Sequence, residues 1–308
     1  MIAALAGGVG AARFLRGLVR VVAPEDVTVI VNTGDDDEFH GLDVCPDLDT
    51  VTYTLAGVEN REAGWGLADE TFACTDALGR YGLPTWFRLG DRDLATHLFR
   101  SARRRAGASL SEVTAEIVAA WGLRTTILPM TDQPVATRLR VAGGVELHLQ
   151  EWFVRDRAEP QVVDVHFEGA RTAWPAPGVL ESISNAHTVL VCPSNPIISI
   201  GPILAVPGVR EALRDRRDRV VAVSPIIAGR TVKGPADRMM ADLGMEASCV
   251  GVARAYADYC CALVIDDQDA ERAAEVESAG MRVIVTDTLM RDARIAAALA
   301  RHTLAAVA

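Results

Sequence analysis

The chain has 308 residues, half of them hydrophobic, and a formal net charge of −10 at pH 7. This length and composition predict a large folded core and exclude extended disorder. The acidic balance argues against nucleic-acid binding, which needs a basic patch, and no apolar run reaches the roughly 18 residues of a membrane span.

The cysteines and the single lysine give further compositional signals. The six cysteines show no C-x-x-C spacing, so we expect reduced thiols in a cytoplasmic protein. Of the 31 lysines and arginines only Lys233 is a lysine, which we interpret as codon bias and not as a binding signature. The apolar start "MIAALAGG" lacks a basic segment and is expected to be a first strand, not a signal peptide.

The first elements predict a strand, a helix and a second strand. A strand is expected at Ile2–Ala6, a tight turn at Gly7–Gly10 and a helix at Ala11–Val22. The second strand, Val27–Asn32, is rich in β-branched residues. This order implies parallel pairing through a right-handed crossover.

Helical spacing dominates the next hundred residues. One of these helices opens with a capping box, Ser109 to Glu112, and runs to about Trp121. The others are predicted at Thr50–Ala56, Leu67–Tyr81 and Leu94–Ala106.

A β-rich stretch then interrupts the pattern. Val135–Val141 and Val145–Phe153 alternate about Gly143-Gly144, which predicts a hairpin, and Val162–Phe167 alternates as well. Residues 131–177 are therefore predicted to form a small β-rich insert, with residues 1–130 and 178–308 as the core.

Parallel α/β character resumes after the insert. Strands are predicted at Thr188–Cys192, Val220–Val223, Leu263–Ile265 and Arg282–Val285, with helices between them and at Arg291–Leu304. The expected fold class is α/β, a doubly wound, Rossmann-like parallel sheet with helices on both faces.

Four unusual loops follow predicted strands, and ligands of such sheets bind beyond the carboxyl ends of the strands. Each loop is rich in polar or turn-forming residues, where a plain connection needs about two to six residues. In chain order they are "GGVGAAR", the acidic loop "NTGDDDEFHGLDVCPDLDT", "PSNPIISIGP" and "SPIIAGRTVKGPA". Their convergence on one sheet edge predicts a single ligand site.

The glycine-rich loop is predicted to contact phosphate. Gly8 and Gly10 let the backbone approach an anion at a helix N-terminus. Arg13 and Asn32 stand where a dinucleotide fingerprint wants a small residue and an acid, so a standard NAD site is disfavoured, and no Walker lysine follows. The alternative is a glycine turn required only for packing.

The acidic loop gathers seven carboxylates within fifteen residues, from Asp35 to Asp49. Oxygen ligands of this kind suit Mg²⁺, which is usually held by one or two carboxylates and by substrate phosphates. We assign function to Asp35, Asp36 and Asp49, which stand at the strand end or open a helix. The remaining four, which we expect to be solvated, are Asp37, Glu38, Asp43 and Asp47.

The segments "GWG" and "RLGDRD" add candidates for a planar ligand. Trp65 is flanked by glycines and is either a stacking wall or a packed core residue. Arg88 is a planar donor for phosphate or a flat heterocycle. Asp91 or Asp93 either contributes to the site or caps the following helix, and His97 is expected to be structural.

The third loop, "CPSNPIISIGP", offers hydrogen-bonding groups between prolines. A proline cannot donate to a strand ladder, so the strand ends there. Ser194, Asn195 and Ser199 are then free to bind a ligand, for which Gly201 leaves space. The alternative is a buried loop whose polar groups cap its own backbone.

These motifs together resemble the 2-phospho-L-lactate transferase family of coenzyme F420 biosynthesis. The resemblance runs from the first strand past residue 230 and is weaker over the last fifty residues. The segments that carry it are "GGVGAARFLRGL", "VNTGDDDEFHGLDVCPDLDTVTYTLAG", "GWGLADETF", "LGDRDLATHL", "PSNPIISIGPIL" and "VSPIIAGRTVKGPADRM".

The resemblance implies a reaction and its partners. A guanosine diphosphate diester of a three-carbon acid donates its phospho-acid half to the ribityl hydroxyl of the deazaflavin Fo, and GMP leaves. The family uses Mg²⁺ and is usually dimeric. By the same resemblance Asp49 and Arg88 contact Fo, Asp35 and Asp36 lie in the metal and phosphate region, and Gly7–Arg13 and Ser194–Ser199 hold the nucleotide.

Two alternatives stay open on the sequence. The first is a regulatory protein of the same fold that binds a nucleotide or flavin without turnover, although clustered metal ligands favour catalysis. The second is an NAD-dependent oxidoreductase, disfavoured by Arg13 and Asn32. No residue in the sequence decides which three-carbon acid the donor carries.

Overall fold

The computed structural model describes residues 1–307, which contain one large parallel sheet and three small antiparallel ones. The strands are β1 (Ile2–Ala6), β2 (Val27–Val31), β3 (Asp37–Phe39), β4 (Leu42–Val44), β5 (Thr126–Pro129), β6 (Ala136–Val141), β7 (Glu146–His148), β8 (Val162–Glu168), β9 (Thr188–Val191), β10 (Val220–Val223), β11 (Ile226–Ile227), β12 (Arg230–Thr231), β13 (Ala262–Ile265) and β14 (Arg282–Val285).

Helices cover both faces of the parallel sheet. They are α1 (Gly8–Leu18), α2 (Pro46–Ala56), α3 (Ala73–Leu78), α4 (Leu94–Arg105), α5 (Leu110–Ala120), α6 (Val179–Asn185), α7 (Gly201–Ala205), α8 (Val209–Asp215), α9 (Ala236–Asp242), α10 (Cys249–Tyr256), α11 (Ala273–Ser278) and α12 (Ala293–Ala305).

The large sheet has seven parallel strands in the order β14-β13-β10-β9-β1-β2-β5. When these seven strands are renumbered 1 to 7 along the chain and the sheet is read from β5, the order is 3-2-1-4-5-6-7. This is the doubly wound order 3-2-1-4-5-6 with a seventh strand added at one edge. The predicted fold class is therefore confirmed. The order reverses between β1 and β9, and ligands of such sheets bind at this switch point.

The core lies on both faces of the central strands. Every residue of β1 is buried, as expected for a parallel strand that helices cover on both sides. Ala3 and Leu5 pack into one hydrophobic cluster, whereas Ala4 and Ala6 pack into the cluster on the opposite face. Burial of this apolar surface is the main stabilising contribution to the sheet.

A three-stranded antiparallel sheet, in the order β7-β6-β8, lies within the predicted insert. Leu139, Trp152 and Val162 form a small core there, and Met239 of α9 joins it. The division of the chain into a core and an insert domain stays a prediction.

Several predicted elements are confirmed nearly to the residue. The capping box that opens α5 is present, with Ser109 accepting from the Glu112 amide and the Glu112 carboxylate accepting from Ser109. The predicted strand at 220–223 and the helix at 94–106 also match the observed elements closely.

Other predicted elements are wrong in extent. The helix predicted at Leu67–Tyr81 begins only after Phe72, because Leu67 pairs with Glu59 in an isolated β-bridge. The strand predicted at 145–153 ends at His148, and a π-helical turn follows at Glu151–Arg155. The edge strand β5 was not predicted, because its sequence TILP has only two apolar residues between a threonine and a proline and lacks the continuous apolar run of the central strands.

Among residues 1–307 no single helix has the length and apolar character of a membrane span. One bent pair of segments, 196–205 with 209–215, passes the same test of length and composition when taken together.

Candidate active site

A cavity of about 640 Å³ opens at the carboxyl end of the sheet, at the switch point between β1 and β9. All four predicted loops contribute to its wall. The predicted site residues that line it are Gly8, Gly10, Arg13, Asp35, Asp49, Trp65, Arg88, Ser194, Asn195 and Ser199.

Three predicted site residues lie elsewhere. Asn32 stands one layer behind the wall and donates to two of its carboxylates. The Asp36 carboxylate is turned toward Cys45, and burial raises its pKa despite the hydrogen bond from that thiol. Asp91 accepts bonds from Thr71 Oγ1 and from the Ala73 and Cys74 amides, so it caps α3 and not the helix that follows it.

The glycine-rich loop packs tightly against the third loop. The Gly7 amide donates to Ser194 Oγ at 3.3 Å. A Cβ on Gly7 would lie 2.6 Å from Ser199 Cβ, and a Cβ on Gly10 would lie 2.3 Å from the Pro193 carbonyl oxygen. Packing therefore requires Gly7 and Gly10 whether or not a ligand is bound. The predicted turn at Gly7–Gly10 is in fact the first turn of α1, which begins at Gly8.

We expect Gly10→Ala to destabilise the fold by about 1–3 kcal/mol, the usual cost of overpacking a tight contact. Urea denaturation measures this change in the free energy of unfolding. Gly79→Ala is the matched control, because Gly79 has a helical φ of −59° and its nearest neighbour would be a threonine methyl at 3.3 Å. Equal stability of the two variants would favour a glycine kept only for close approach of a ligand.

Asp47 is the clearest correction to the sequence analysis, which expected it to be solvated. Its side chain is buried, and Oδ1 accepts from the Gly8 amide at 2.7 Å. Oδ2 accepts from Asn32 Nδ2 at 2.9 Å. The same Asn32 nitrogen donates to Asp35 Oδ1 at 3.1 Å, so one amide holds two carboxylates together at the cavity wall.

Burial makes this carboxylate pair costly. It raises the pKa of Asp47 to about 6, and burial together with the charge of Asp47 raises the pKa of Asp35 well above its usual value. Two buried like charges repel, and a bound cation relieves that repulsion. The wall is thus poised to accept a cation.

The other acidic residues of the loop form a hairpin. Glu38 is exposed, as expected, and the Asp43 side chain is half-buried. Asp37 lies 3.1 Å from His148 Nδ1, so it pairs with the three-stranded sheet and is not simply solvated. The hairpin turn uses His40 and Gly41, with φ values of 54° and 77°.

Asp49 lies in a buried network that the sequence analysis missed. Its Oδ1 accepts from Arg100, whose side chain is fully buried, and Oδ2 lies 3.8 Å from His97 Nδ1. His97 Nε2 lies 3.3 Å from Asp93, which also accepts from the Tyr53 hydroxyl at 2.5 Å. His97 was expected to be structural, but it lines the cavity.

A signal for this network was present in the sequence. Asp93, His97 and Arg100 stand at spacings of four and three, which puts them on one face of a helix. That face of α4 meets the N-terminal turn of α2, where Asp49 lies. The sequence alone did not show that these two helices pack together.

The same network has the donor set of a cation site. One ligand atom from each of Asp49, Asp93 and His97 lies within 4.8 Å of the others. Asp49 Oδ2 and His97 Nε2 are buried, and neither makes a hydrogen bond to any residue from 1 to 307. Burial raises the pKa of Asp49 against the pull of Arg100. Burial also acts to raise the pKa of Asp93, but the proximity of His97 and the hydrogen bond from Tyr53 together outweigh it, and the pKa of Asp93 is lowered.

An aromatic wall faces these carboxylates. Phe87 lines the cavity and stacks on Phe39 with ring centroids 3.9 Å apart. Trp65 lines the cavity with 48% of its surface exposed, so it is not a packed core residue. Arg88 lies over the Phe72 ring at 4.5 Å and donates to Asp76. These flat groups suit a planar heterocycle.

The third loop uses much of its polarity internally. Asn195 Oδ1 accepts from the Ile197 and Ile198 amides and so caps the π-helical turn Pro196–Ile200. A Cβ on Gly201 would lie 2.9 Å from the Phe167 ring, so this glycine makes room for Phe167 and not for a ligand. Ser194, Asn195 and Ser199 nevertheless line the cavity.

Comparison with known proteins gives one consistent result. A family model described as 2-phospho-L-lactate transferase CofD matches residues 2–303. A phosphoenolpyruvate transferase of Kitasatospora aureofaciens is 48% identical over 310 residues, covering 99% of this chain and 97% of its own. The Mycobacterium marinum protein of the same name is 40% identical over 324 residues, with 97% and 96% covered.

Solved structures support the fold alone. A UPF0052 family member from Bacillus halodurans superimposes with a TM-score of 0.64 at 15% identity. The match covers 98% of each chain.

Proposed function

This chain belongs to the 2-phospho-L-lactate transferase CofD family of coenzyme F420 biosynthesis, and on that premise we propose a specific reaction. The chain is a transferase of the phosphoenolpyruvate and phospholactate type. We propose that it moves a phospho-three-carbon-acid group from a guanosine diphosphate diester to the ribityl hydroxyl of Fo. The products are GMP and coenzyme F420-0 or its dehydro form.

The observation that carries this proposal is the composition of one cavity. Buried carboxylates, an aromatic wall and a glycine-rich helix N-terminus all line the same space at the switch point. The aromatic wall with Arg88 suits the flat deazaflavin, and the helix N-terminus with Arg13 suits the donor phosphates. The carboxylates share this cavity with both regions, and Asp47 contacts the helix N-terminus directly through the Gly8 amide.

The proposed chemistry is a displacement at phosphorus. The hydroxyl oxygen of Fo forms a bond to the phosphorus that bears the three-carbon acid. The bond from this phosphorus to the oxygen it shares with GMP breaks, and GMP leaves with the electron pair. The hydroxyl proton passes to one of the two candidate catalytic carboxylates, Asp49 or Asp35, both of which line the cavity.

The residues present fit a divalent cation. Asp49 keeps a buried oxygen without a partner in the described chain, and Asp35 accepts a side-chain bond through Oδ1 alone. Asp47 is instead occupied on both oxygens. We therefore propose that Asp35 and Asp49 hold Mg²⁺, which supplies charge neutralisation on the donor phosphates when it is bound.

The names of the relatives reported above favour one donor. Relatives 40–48% identical over nearly the whole chain are named phosphoenolpyruvate transferases. We propose an enolpyruvyl donor and expect it to give the highest kcat/KM in a panel with lactyl and glyceryl diesters. GMP release measured by anion exchange tests this, and a clear preference for the lactyl diester would overturn it.

Two further properties stay proposals. A homodimer and a cytoplasmic location are consistent with the family, and sedimentation and fractionation test them. The alternative of a regulatory protein without turnover predicts Fo or nucleotide binding but no GMP under any condition.

Arg88→Ala is expected to raise the KM for Fo by about tenfold and the KM for the donor by less than about twofold, an effect typical of a lost cation–π or charged hydrogen-bond contact. Steady-state kinetics with each substrate varied in turn measure the difference. Arg80→Ala is the control, since Arg80 is an exposed residue of the same segment that lies off the cavity wall. Equal increases in both KM values would place Arg88 away from the acceptor.

A further inference from the structure

Lys233, the one lysine of the chain, stands at the mouth of the cavity. The protein has 41 aspartates and glutamates, yet Lys233 forms no ion pair with any of them within residues 1–307. Its ammonium instead donates to a neutral acceptor, the Ala63 carbonyl oxygen. A cation held in this way keeps most of its charge available for an anion.

The backbone around Lys233 is fixed. The lysine follows the hairpin β11–β12, and the Thr231 hydroxyl lies within donating distance of two acceptors, the Gly234 carbonyl oxygen at 2.8 Å and Asp237 Oδ1 at 2.7 Å. These bonds tie the short segment to the start of α9. The side chain is therefore aimed across the cavity mouth by an ordered loop.

The ammonium lies over the first turn of α1. A Cβ on Gly64 would lie 2.6 Å from Lys233 Nζ and 3.1 Å from Val9 Cγ1, so all three groups meet at one place. Arg13, one turn further along α1, is close enough that its charge, together with burial, lowers the pKa of Lys233. Arg13 itself forms no ion pair in the part of the chain that the structure describes.

The donor phosphates need this charge. Asp35, Asp47 and Asp49 place carboxyl groups on the cavity wall, and Asp47 already accepts from the Gly8 amide that an anion at the helix N-terminus would use. The backbone of the glycine-rich loop therefore offers less to a phosphate than its sequence suggests. Beside a bound divalent cation, side-chain cations that line the cavity can supply positive charge that the helix N-terminus does not.

We propose that Lys233, together with Arg13, binds the diphosphate of the nucleotide donor and stabilises the charge that grows on the departing GMP phosphate. The proposal rests on the proposed function and adds a residue to it. Lys233 leaves the Ala63 carbonyl for the phosphate when donor binds. It transfers no proton and forms no covalent bond.

Because the chain has a single lysine, its ammonium can be followed directly. Acetic anhydride acetylates the Lys233 amine, and mass spectrometry of the peptide that contains Lys233 measures the rate of this acetylation. The measurement requires no turnover. We expect GDP to slow this rate by about tenfold or more, whereas guanosine and Fo leave it within twofold. Equal rates with GDP and without ligand overturn the proposal, as does equal protection by guanosine.

Kinetics of two variants distinguish a contact between Lys233 and the donor phosphates from a purely structural bond between Lys233 and the Ala63 carbonyl oxygen. Lys233→Gln is expected to lower kcat/KM for the donor by about a hundredfold, the effect of removing one preorganised donor, while the KM for Fo stays within twofold. Lys233→Arg is expected to stay within tenfold of wild type. Arg230→Gln, an exposed change on the same hairpin, is the control.

The possible outcomes separate this proposal from the proposed function. If Lys233 serves only to hold the Ala63 carbonyl, its loss also shifts the neighbouring Trp65. Lys233→Gln then changes the KM for Fo as much as the KM for the donor, and this result overturns the proposal. Protection of Lys233 by GDP without turnover of any donor supports the phosphate contact and contradicts the proposed reaction. Turnover without protection contradicts the contact and leaves the reaction standing.

Discussion

Asp49→Asn is expected to lower kcat by about two orders of magnitude or more, the range of general acid–base assistance. The variant keeps the size of the side chain and one acceptor for Arg100, but it removes the charge that would orient or deprotonate the acceptor hydroxyl. Guanosine nucleotide binding, measured by calorimetry, is expected to persist. Asp43→Asn, whose half-buried side chain lies in the same loop, is expected to change kcat by less than about threefold.

Asp49→Asn is also expected to lower the free energy of unfolding, because Asp49 is part of a buried ion pair. Arg100 is fully buried, and Asp49 is its carboxylate partner. Removing one member of a buried ion pair typically costs about 3–5 kcal/mol. We therefore expect a lower Tm, which circular dichroism measures.

A matched control separates lost stability from lost chemistry. Leu263→Ala in β13 removes a fully buried core side chain that does not line the cavity, at a cost of about 2–5 kcal/mol. At a temperature where both variants are folded, Leu263→Ala is expected to keep near-normal kcat. If Asp49→Asn and Leu263→Ala lose the same fraction of kcat, the assigned chemistry of Asp49 is wrong.

Removal of divalent cations by EDTA is expected to lower turnover by at least about a hundredfold, and added Mg²⁺ is expected to restore it. A metal ion contributes several kcal/mol of charge stabilisation at a transferring phosphoryl group. Lys233 and Arg13 line the cavity together with four carboxylates, those of Asp35, Asp47, Asp49 and Asp93, so the two side-chain cations alone do not neutralise a bound diphosphate. GMP release in a titration with free Mg²⁺ measures the effect.

Asp35→Asn tests whether this metal lies where we propose. The variant is expected to need a higher Mg²⁺ concentration for half-maximal activity, because it loses one charged oxygen ligand. Glu38→Gln is the matched control, an exposed carboxylate of the same loop that lies off the cavity wall. Full turnover of the wild type in excess EDTA would rule out the metal.

The fold was predictable from sequence because its signals are local. The central strands are short apolar runs flanked by turn residues, and their alternation with helical spacing implies a parallel sheet. β1 and β10 were predicted to the residue for this reason. Elements whose limits depend on a residue remote in sequence were not predictable in this way. An example is the start of α3, where the Ala73 and Cys74 amides donate to Asp91.

The site was predictable in its loops but not in its contacts. Gly8, Asp35 and Asp49 follow strand ends or open helices, and they do line one cavity. Asp47 was misassigned because its burial depends on the Gly8 amide, 39 residues away, and on Asn32. Arg100 was missed, and His97 was assigned a structural role only, because the packing of α4 on α2 alone shows which face of α4 meets Asp49.

The most direct test of the account is the mass of the deazaflavin product formed from Fo and the enolpyruvyl guanosine diphosphate diester in the presence of Mg²⁺. Attack at the phosphorus that bears the acid predicts Fo joined to the phospho-acid, with one GMP released for each product molecule. Fo joined to GMP, or unchanged Fo in the presence of both substrates and the metal, would contradict the account.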